Sequence, residues 1–99
     1  MNAVLSNLIL VHNLDSVYLQ VATPNASLRG VTVAPDGDLW FTENAANKIG
    51  RMSPAGELLG EYAIPSPQSG ARCIVALADG RLFFTAHDSG EIGEIIPVG

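Results

Sequence analysis

The chain has 99 residues, 47% of them apolar and 15% charged, with a net charge of −5 from five Lys/Arg and ten Asp/Glu. That length holds one small domain, the apolar content excludes a disordered tail, and an acidic balance without a basic stripe argues against a nucleic-acid partner. A single cysteine, Cys73, permits neither an internal disulfide nor a Cys-based zinc site.

The first residues lack the Lys/Arg-then-apolar pattern of a secretory leader, so a cytoplasmic location is the default expectation. The longest apolar runs, residues 8–11 and 74–77, are far too short to span a bilayer, and no membrane partner is expected. Residues 1–15 receive no assignment from their pattern, and 1–13 follow the rest of the chain poorly. Residues 16–23 read as an outer strand. A short β-branched strand follows over 30–34 and stops at Pro35-Asp36-Gly37, where proline presets φ and glycine tolerates a positive one. Residues 38–43 form an aromatic strand, 47–53 a third, and Pro54-Ala55-Gly56 another turn. A fourth strand over 57–64 closes at Pro65-Ser66-Pro67. No stretch shows a sustained helical spacing of apolar residues.

Sliding the chain on itself by 43 positions aligns residues 24–56 with 67–99 without a gap, and eleven of the 33 pairs are identical. Among them are Arg29/Arg72, Asp36/Asp79, Gly37/Gly80, Phe41/Phe84, Thr42/Thr85 and Gly50/Gly93. Four strands per 43 residues is the period of a β-propeller blade. The run Leu39-Trp40-Phe41-Thr42 and its copy Leu82-Phe83-Phe84-Thr85 are apolar on both faces, as strands stacked between neighbouring blades must be. The expected fold is therefore all-β: antiparallel four-stranded propeller blades, about two of them. The outer strand at 16–23 precedes a full blade repeat at 24–66 and a second repeat at 67–99 that lacks its outer strand. Closed propellers need about four to eight blades.

The segment from Asp36 through Trp40 and Glu43 to Asn47-Lys48-Ile49-Gly50-Arg51 resembles the signature of the virginiamycin B lyase (streptogramin lyase) family. Thr23-Pro24-Asn25-Ala26 before it and Glu61-Tyr62-Ala63-Ile64-Pro65 after it agree, so the resemblance runs from about residue 20 to 99. It implies blades of a seven-bladed propeller that opens the ester-linked ring of type B streptogramins by elimination, with Mg²⁺ as cofactor. In that family the catalytic histidine stands just before the glycine that opens an innermost strand, with a glutamate two residues earlier. The matching positions are Arg29 with Ser27 and Arg72 with Gly70, so neither copy carries the pair. A second family glutamate follows an aromatic strand, near the place of Glu43, but in a blade with a shorter loop. The resemblance is to non-catalytic blades: no catalytic residue and no metal ligand transfers, and Mg²⁺ is implied by the family alone.

Arg29 and Arg72 are the channel-lining candidates. Each begins an innermost strand, where a planar donor fork would meet an anionic or carbonyl-rich ligand. The structural alternative pairs each with a carboxylate of the next blade, such as Asp36 or Asp79. His87-Asp88-Ser89 spells a hydrolase triad, but consecutive turn residues cannot assemble one. His12 has no partner pattern. Glu43 could serve as a base or hold Mg²⁺, although a carboxylate at a strand end more often accepts backbone N–H bonds from its loop. Asp36, Asp38 and Asp79 resemble calcium-loop oxygens, yet turn chemistry already explains them. Cys73 is expected to be small and buried, and Asp88, Glu91 and Glu94 to line a solvated strand edge. Two further readings stand beside the lyase-like one: a non-enzymatic module that forms homo-oligomers through exposed blade faces, and a small-molecule-binding or lactonase-like propeller.

Overall fold

The computed structural model describes residues 2–5, 8–11, 16–19, 21–24 and 26–97. Among the described residues, ten strands build three antiparallel sheets. Strands β1 (Asn2–Leu5), β2 (Leu8–Val11) and β3 (Ser16–Leu19) form the first, in that order. Strands β4 (Leu28–Val33), β5 (Leu39–Glu43), β6 (Lys48–Met52) and β7 (Leu58–Ala63) form the second. Strands β8 (Ala71–Ala76), β9 (Leu82–Ala86) and β10 (Glu91–Ile95) form the third. The all-β expectation holds, with each sheet a meander of sequential neighbours. Residues 1–13, without assignment from their pattern, hold β1 and β2.

The 43-residue repeat is carried by the backbone as well as by side chains. Gly37 and Gly80 take φ of 95° and 96°, the left-handed values their turns require. In both turns the first aspartate caps the chain: Asp38 N donates to Asp36 Oδ1 at 2.9 Å, and Arg81 N donates to Asp79 Oδ1 at 3.0 Å. A register shift falls between Leu28 and Val31 in β4 and again between Ala71 and Ile74 in β8, positions 43 apart. Ser27 and Gly70, which precede these strands, both have positive φ (49° and 69°).

The second and third sheets stack face to face. Trp40, Ile49 and Ile64 from one side and Ala71, Ile74, Leu82, Phe84 and Ala86 from the other make one buried cluster. Burying side chains of Trp or Leu size stabilises the stack by about 1.5–3 kcal/mol each. This explains the two-sided apolar aromatic strand: Trp40 faces the third sheet, while Phe41 lies against Gly50 of β6 on the opposite face. Strand β4 lies against β8, so close that a Cβ on Gly30 would overlap the Arg72 carbonyl. The first sheet meets the second through Leu19, which touches Gly56, and a cavity of about 340 Å³ separates Leu19 and Val21 from Leu28, Val31, Leu39, Phe41 and Met52.

Cys73 corrects one expectation. It is an exposed free thiol, not a buried one. Its repeat mate Gly30 is pressed against β8, whereas nothing in the described structure stacks on the outer face of the third sheet at Cys73, and a side chain fits there.

Candidate functional site

Arg29 and Arg72 sit at the starts of β4 and β8, the adjacent first strands of their sheets. Both are exposed. Among the described residues no carboxylate lies within ion-pair distance of either, so the pairing with Asp36 or Asp79 does not occur. Those aspartates are taken at the other end of the strands. Arg51 binds Asp36 at 3.0 Å and Asp38 at 2.8 Å, and Arg81 binds Asp79 at 2.9 Å and Glu94 at 3.2 Å. The reason is register: Arg51 stands opposite Trp40 on β6, beside the turn that carries both aspartates. Backbone and side-chain bonds from Arg81 hold the Asp79 carboxyl below its usual range.

The two copies solve this end of the blade with opposite charges. Position 38 is Asp in the first copy and Arg in the second, while position 51 is Arg and its mate 94 is Glu. In each case the arginine also covers an aromatic ring: Arg51 lies 5.0 Å from the centre of Trp40, and Arg81 lies 5.7 Å from that of Phe83. Such a co-substitution 43 residues apart was a signal available in the sequence.

The end that carries Arg29 and Arg72 is fixed by polar contacts between sheets. Thr42 Oγ1 accepts from Gly30 N at 3.0 Å and donates to the Arg72 carbonyl at 2.8 Å, tying β4, β5 and β8 at one point. Asn44 Nδ2 donates to the Ala71 carbonyl at 2.9 Å. Asn47, at φ 59°, donates to the carbonyls of Ile64 and Ser66, and its Oδ1 accepts from Ser69 N and Oγ. The arginine backbones are therefore held from behind while their guanidinium groups face solvent.

His87 and Asp88 form an exposed pair, with Nδ1 and Oδ1 2.9 Å apart. Ser89 Oγ turns to the Ala86 carbonyl at 3.5 Å, so no triad exists. His12 lies outside the described residues. Glu91 accepts from Ser66 Oγ at 2.8 Å, which lowers its carboxyl, and Asp88, Glu91 and Glu94 are all exposed.

Glu43 departs from the expectation that it accepts backbone N–H bonds from its loop. Its residue is 0% exposed and neither carboxyl oxygen has a hydrogen-bond partner among the described residues. Its neighbour is a second carboxyl, Glu61 of β7, which reaches it across the space left by Gly50 on β6. Burial first, then the neighbouring carboxyl of Glu61, push Glu43 up to about 7. Glu61 moves the other way, lowered by its neighbour Glu43 first and then by the hydrogen bond it accepts from Thr23 Oγ1. No sequence pattern flagged this pair, because Glu61 reaches Glu43 only through the three-strand register.

Magnesium does not fit these residues. Among the described residues no three His, Cys, Asp or Glu side chains gather.

The profile of the virginiamycin B lyase family matches residues 12–99. Virginiamycin B lyase of Bordetella pertussis is 42% identical over 48 residues, covering 48% of this chain and 16% of the relative. That of Bordetella parapertussis is 41% identical over 46 residues, or 46% and 15%. A catalytically inactive histidine-to-alanine variant of virginiamycin B lyase from Staphylococcus aureus with quinupristin superposes with a TM-score of 0.78 at 33% identity, over 91% of this chain and 31% of that one. The selenomethionine-substituted lyase of the same organism gives 0.71 at 28%, over 93% and 34%. The chain thus spans about a third of these structures and a smaller share of the curated relatives. With a profile match over most of its length and a blade geometry shared with those structures, the chain belongs to the virginiamycin B lyase family.

Proposed function

We propose that this chain supplies non-catalytic blades to a lyase-type propeller that binds type B streptogramins, with Arg29 and Arg72 presented to the macrocycle. The observation that carries the reading is the exposure of both guanidinium groups at equivalent starts of adjacent inner strands, without a carboxylate partner among the described residues. A planar fork of N–H donors suits the carbonyl-rich ring of such an antibiotic. The relative solved with quinupristin supports the ligand class.

The family reaction, an Mg²⁺-dependent elimination that opens the ester-linked ring, is not assigned to this chain acting alone. The positions of the family histidine and glutamate hold Arg29 with Ser27 and Arg72 with Gly70, and the described residues offer no magnesium ligand set. Elimination yields a linear product with the mass of the substrate, whereas hydrolysis would add one water. Incubating the chain with quinupristin and Mg²⁺ is expected to leave the ring closed, while equilibrium binding weakens in Arg29→Ala and Arg72→Ala. Formation of the isomeric linear product by the chain, abolished by His87→Ala, would overturn this reading.

Self-association is the second reading, favoured by a specific contrast. Ile49 is 2% exposed beneath the third sheet, while its repeat mate Ile92 is 75% exposed on the third sheet itself. An apolar face covered in one copy and bare in the next is a surface on which another copy can stack. A concentration-independent monomer mass in sedimentation would reject it.

A further inference from the structure

The turn between β9 and β10 is bonded to the residues that lead into β8. His87 N donates to the Gly70 carbonyl at 3.0 Å, and Asp88 N and Ser89 N donate to the Ser69 carbonyl at 3.0 and 3.3 Å. The Asp88 carboxyl lies directly over Gly70, where a Cβ would overlap it. From there it holds the imidazole, with Oδ1 2.9 Å from His87 Nδ1. An ionised carboxylate only accepts, so Nδ1 of the neutral ring carries the proton and Nε2 is left as an acceptor. Arg72 stands two residues beyond Gly70. The register shift in β8 leaves Ala71 and Ile74 buried and turns Arg72 and Cys73, between them, out to solvent. Ala71 pairs with Ala86 and Gly70 bonds His87, which puts Arg72 and His87 at diagonal positions across β8 and β9. Such positions lie about 7–8 Å apart, within reach of long side chains. The first copy has no acceptor held in this way: Asn44, the mate of His87, gives its Nδ2 to the Ala71 carbonyl, and the mate of Asp88 is Ala45.

We infer that Arg72 and His87 together hold one residue of the macrocycle, the guanidinium donating to its carbonyl and His87 Nε2 accepting from its N–H, while Asp88 fixes the ring in that tautomer. The inference rests on the proposed binding of type B streptogramins and names the contact. In an extended residue the N–H and the C=O point to the same side, as in the hydrogen-bonded pairs of a β-ladder, so one donor and one acceptor on the protein meet both. A ring residue whose nitrogen is alkylated, or replaced by the ester oxygen, offers a carbonyl alone: it satisfies Arg72 and leaves His87 unused. The contact therefore reads a secondary amide of the ring, whereas Arg29, beside Asn44, takes any carbonyl. Asp88 is bound to His87 and not to Arg72, so the guanidinium keeps its donors for the ligand.

The test is equilibrium binding of quinupristin to the 99-residue chain at mildly alkaline pH, where imidazole is neutral. Arg72 and His87 are exposed, so their variants keep the fold, and an unchanged urea midpoint verifies this. His87→Leu is expected to weaken binding by about three- to tenfold, and His87→Gln, whose amide oxygen can replace Nε2, to restore most of the loss. Arg72→Ala combined with His87→Leu should lose less than the product of the two single losses, because a ligand residue released at one point no longer sits well at the other. Arg29→Ala combined with His87→Leu should lose the full product. Wild-type affinity in His87→Leu, with Arg72→Ala still weakened, overturns the two-point contact and leaves the proposed function standing. A loss that His87→Gln does not restore, or a full product in the Arg72 double variant, overturns it equally. Quinupristin held no better by the wild type than by either arginine variant overturns the proposed function, and this contact with it.

Discussion

The second and third sheets are the same repeat in two situations, one with a neighbour on its outer face and one, among the described residues, without. Thr42 is 0% exposed and joins Gly30 N to the Arg72 carbonyl, while Thr85 accepts from Cys73 N at 3.1 Å and remains exposed. Asn44 bonds the next sheet, and its mate His87 bonds only its neighbour Asp88. Trp40 is buried, and Phe83 is half-buried. The comparison teaches that these residues are bonding groups aimed at an adjacent sheet, and that burial belongs to the stack and not to the blade.

The contrast is sharpened most strongly at the aromatic pair. Trp40→Ala is expected to cost about 3–5 kcal/mol, since it empties the cluster between the sheets, and Phe83→Ala distinctly less. Chemical denaturation of both variants measures the difference, and equal losses would mean that a further copy covers Phe83 in solution.

The glycines come next. A Cβ on Gly50 meets the Phe41 ring and the Glu43 carboxyl, while one on Gly93 meets the Phe84 ring alone. Overpacking of this kind costs about 1–3 kcal/mol, with Gly50→Ala at the upper end because β6 is flanked on both sides and β10 is a free edge among the described strands. Thermal unfolding should show the larger fall in Tm for Gly50→Ala.

A smaller effect separates the threonines. Thr42→Val leaves Gly30 N and the Arg72 carbonyl without their partner at a buried point and should cost about 1–3 kcal/mol. Thr85→Val, at an exposed position, is expected to lie within about 0.5 kcal/mol of wild type. A comparable loss at Thr85 breaks the comparison in favour of a stacked assembly.

The smallest effect concerns the exchanged charges. Asp38→Arg with Arg51→Glu writes the second copy's ion pair into the first, and the double variant should recover most of what either single variant loses. Failure of that recovery would show that Trp40 requires the cation on β6 and not on β5.

Much of the fold was legible in the sequence because a repeat constrains two segments at once. The strands over 30–34, 38–43, 47–53 and 57–64 lie within a residue or two of β4 through β7, and the Asp-Gly turns are where Pro35 and Gly37 place them. Strands β1 and β2 were not legible, since their residues lack the turn and aromatic positions that mark the other copies. At the candidate site, the placement of Arg29 and Arg72 at inner strand starts followed from the repeat. The ionic partners of Asp36 and Asp79 did not, because they depend on which side chain the β6 or β10 register brings opposite the turn.

The sequence by itself determined the blade period, the turns, the two-sided apolar character of the aromatic strands and the absence of the family histidine and glutamate from both copies. Those properties are local, or repeat at a fixed offset, and a one-dimensional pattern contains them. Only the tertiary structure decided that Glu43 is buried against Glu61, that Thr42 bridges two sheets while Thr85 does not, and that Cys73 is exposed. Each of these is set by which surfaces face each other, and identical residue types acquire opposite environments when one copy has a neighbour and the other has none.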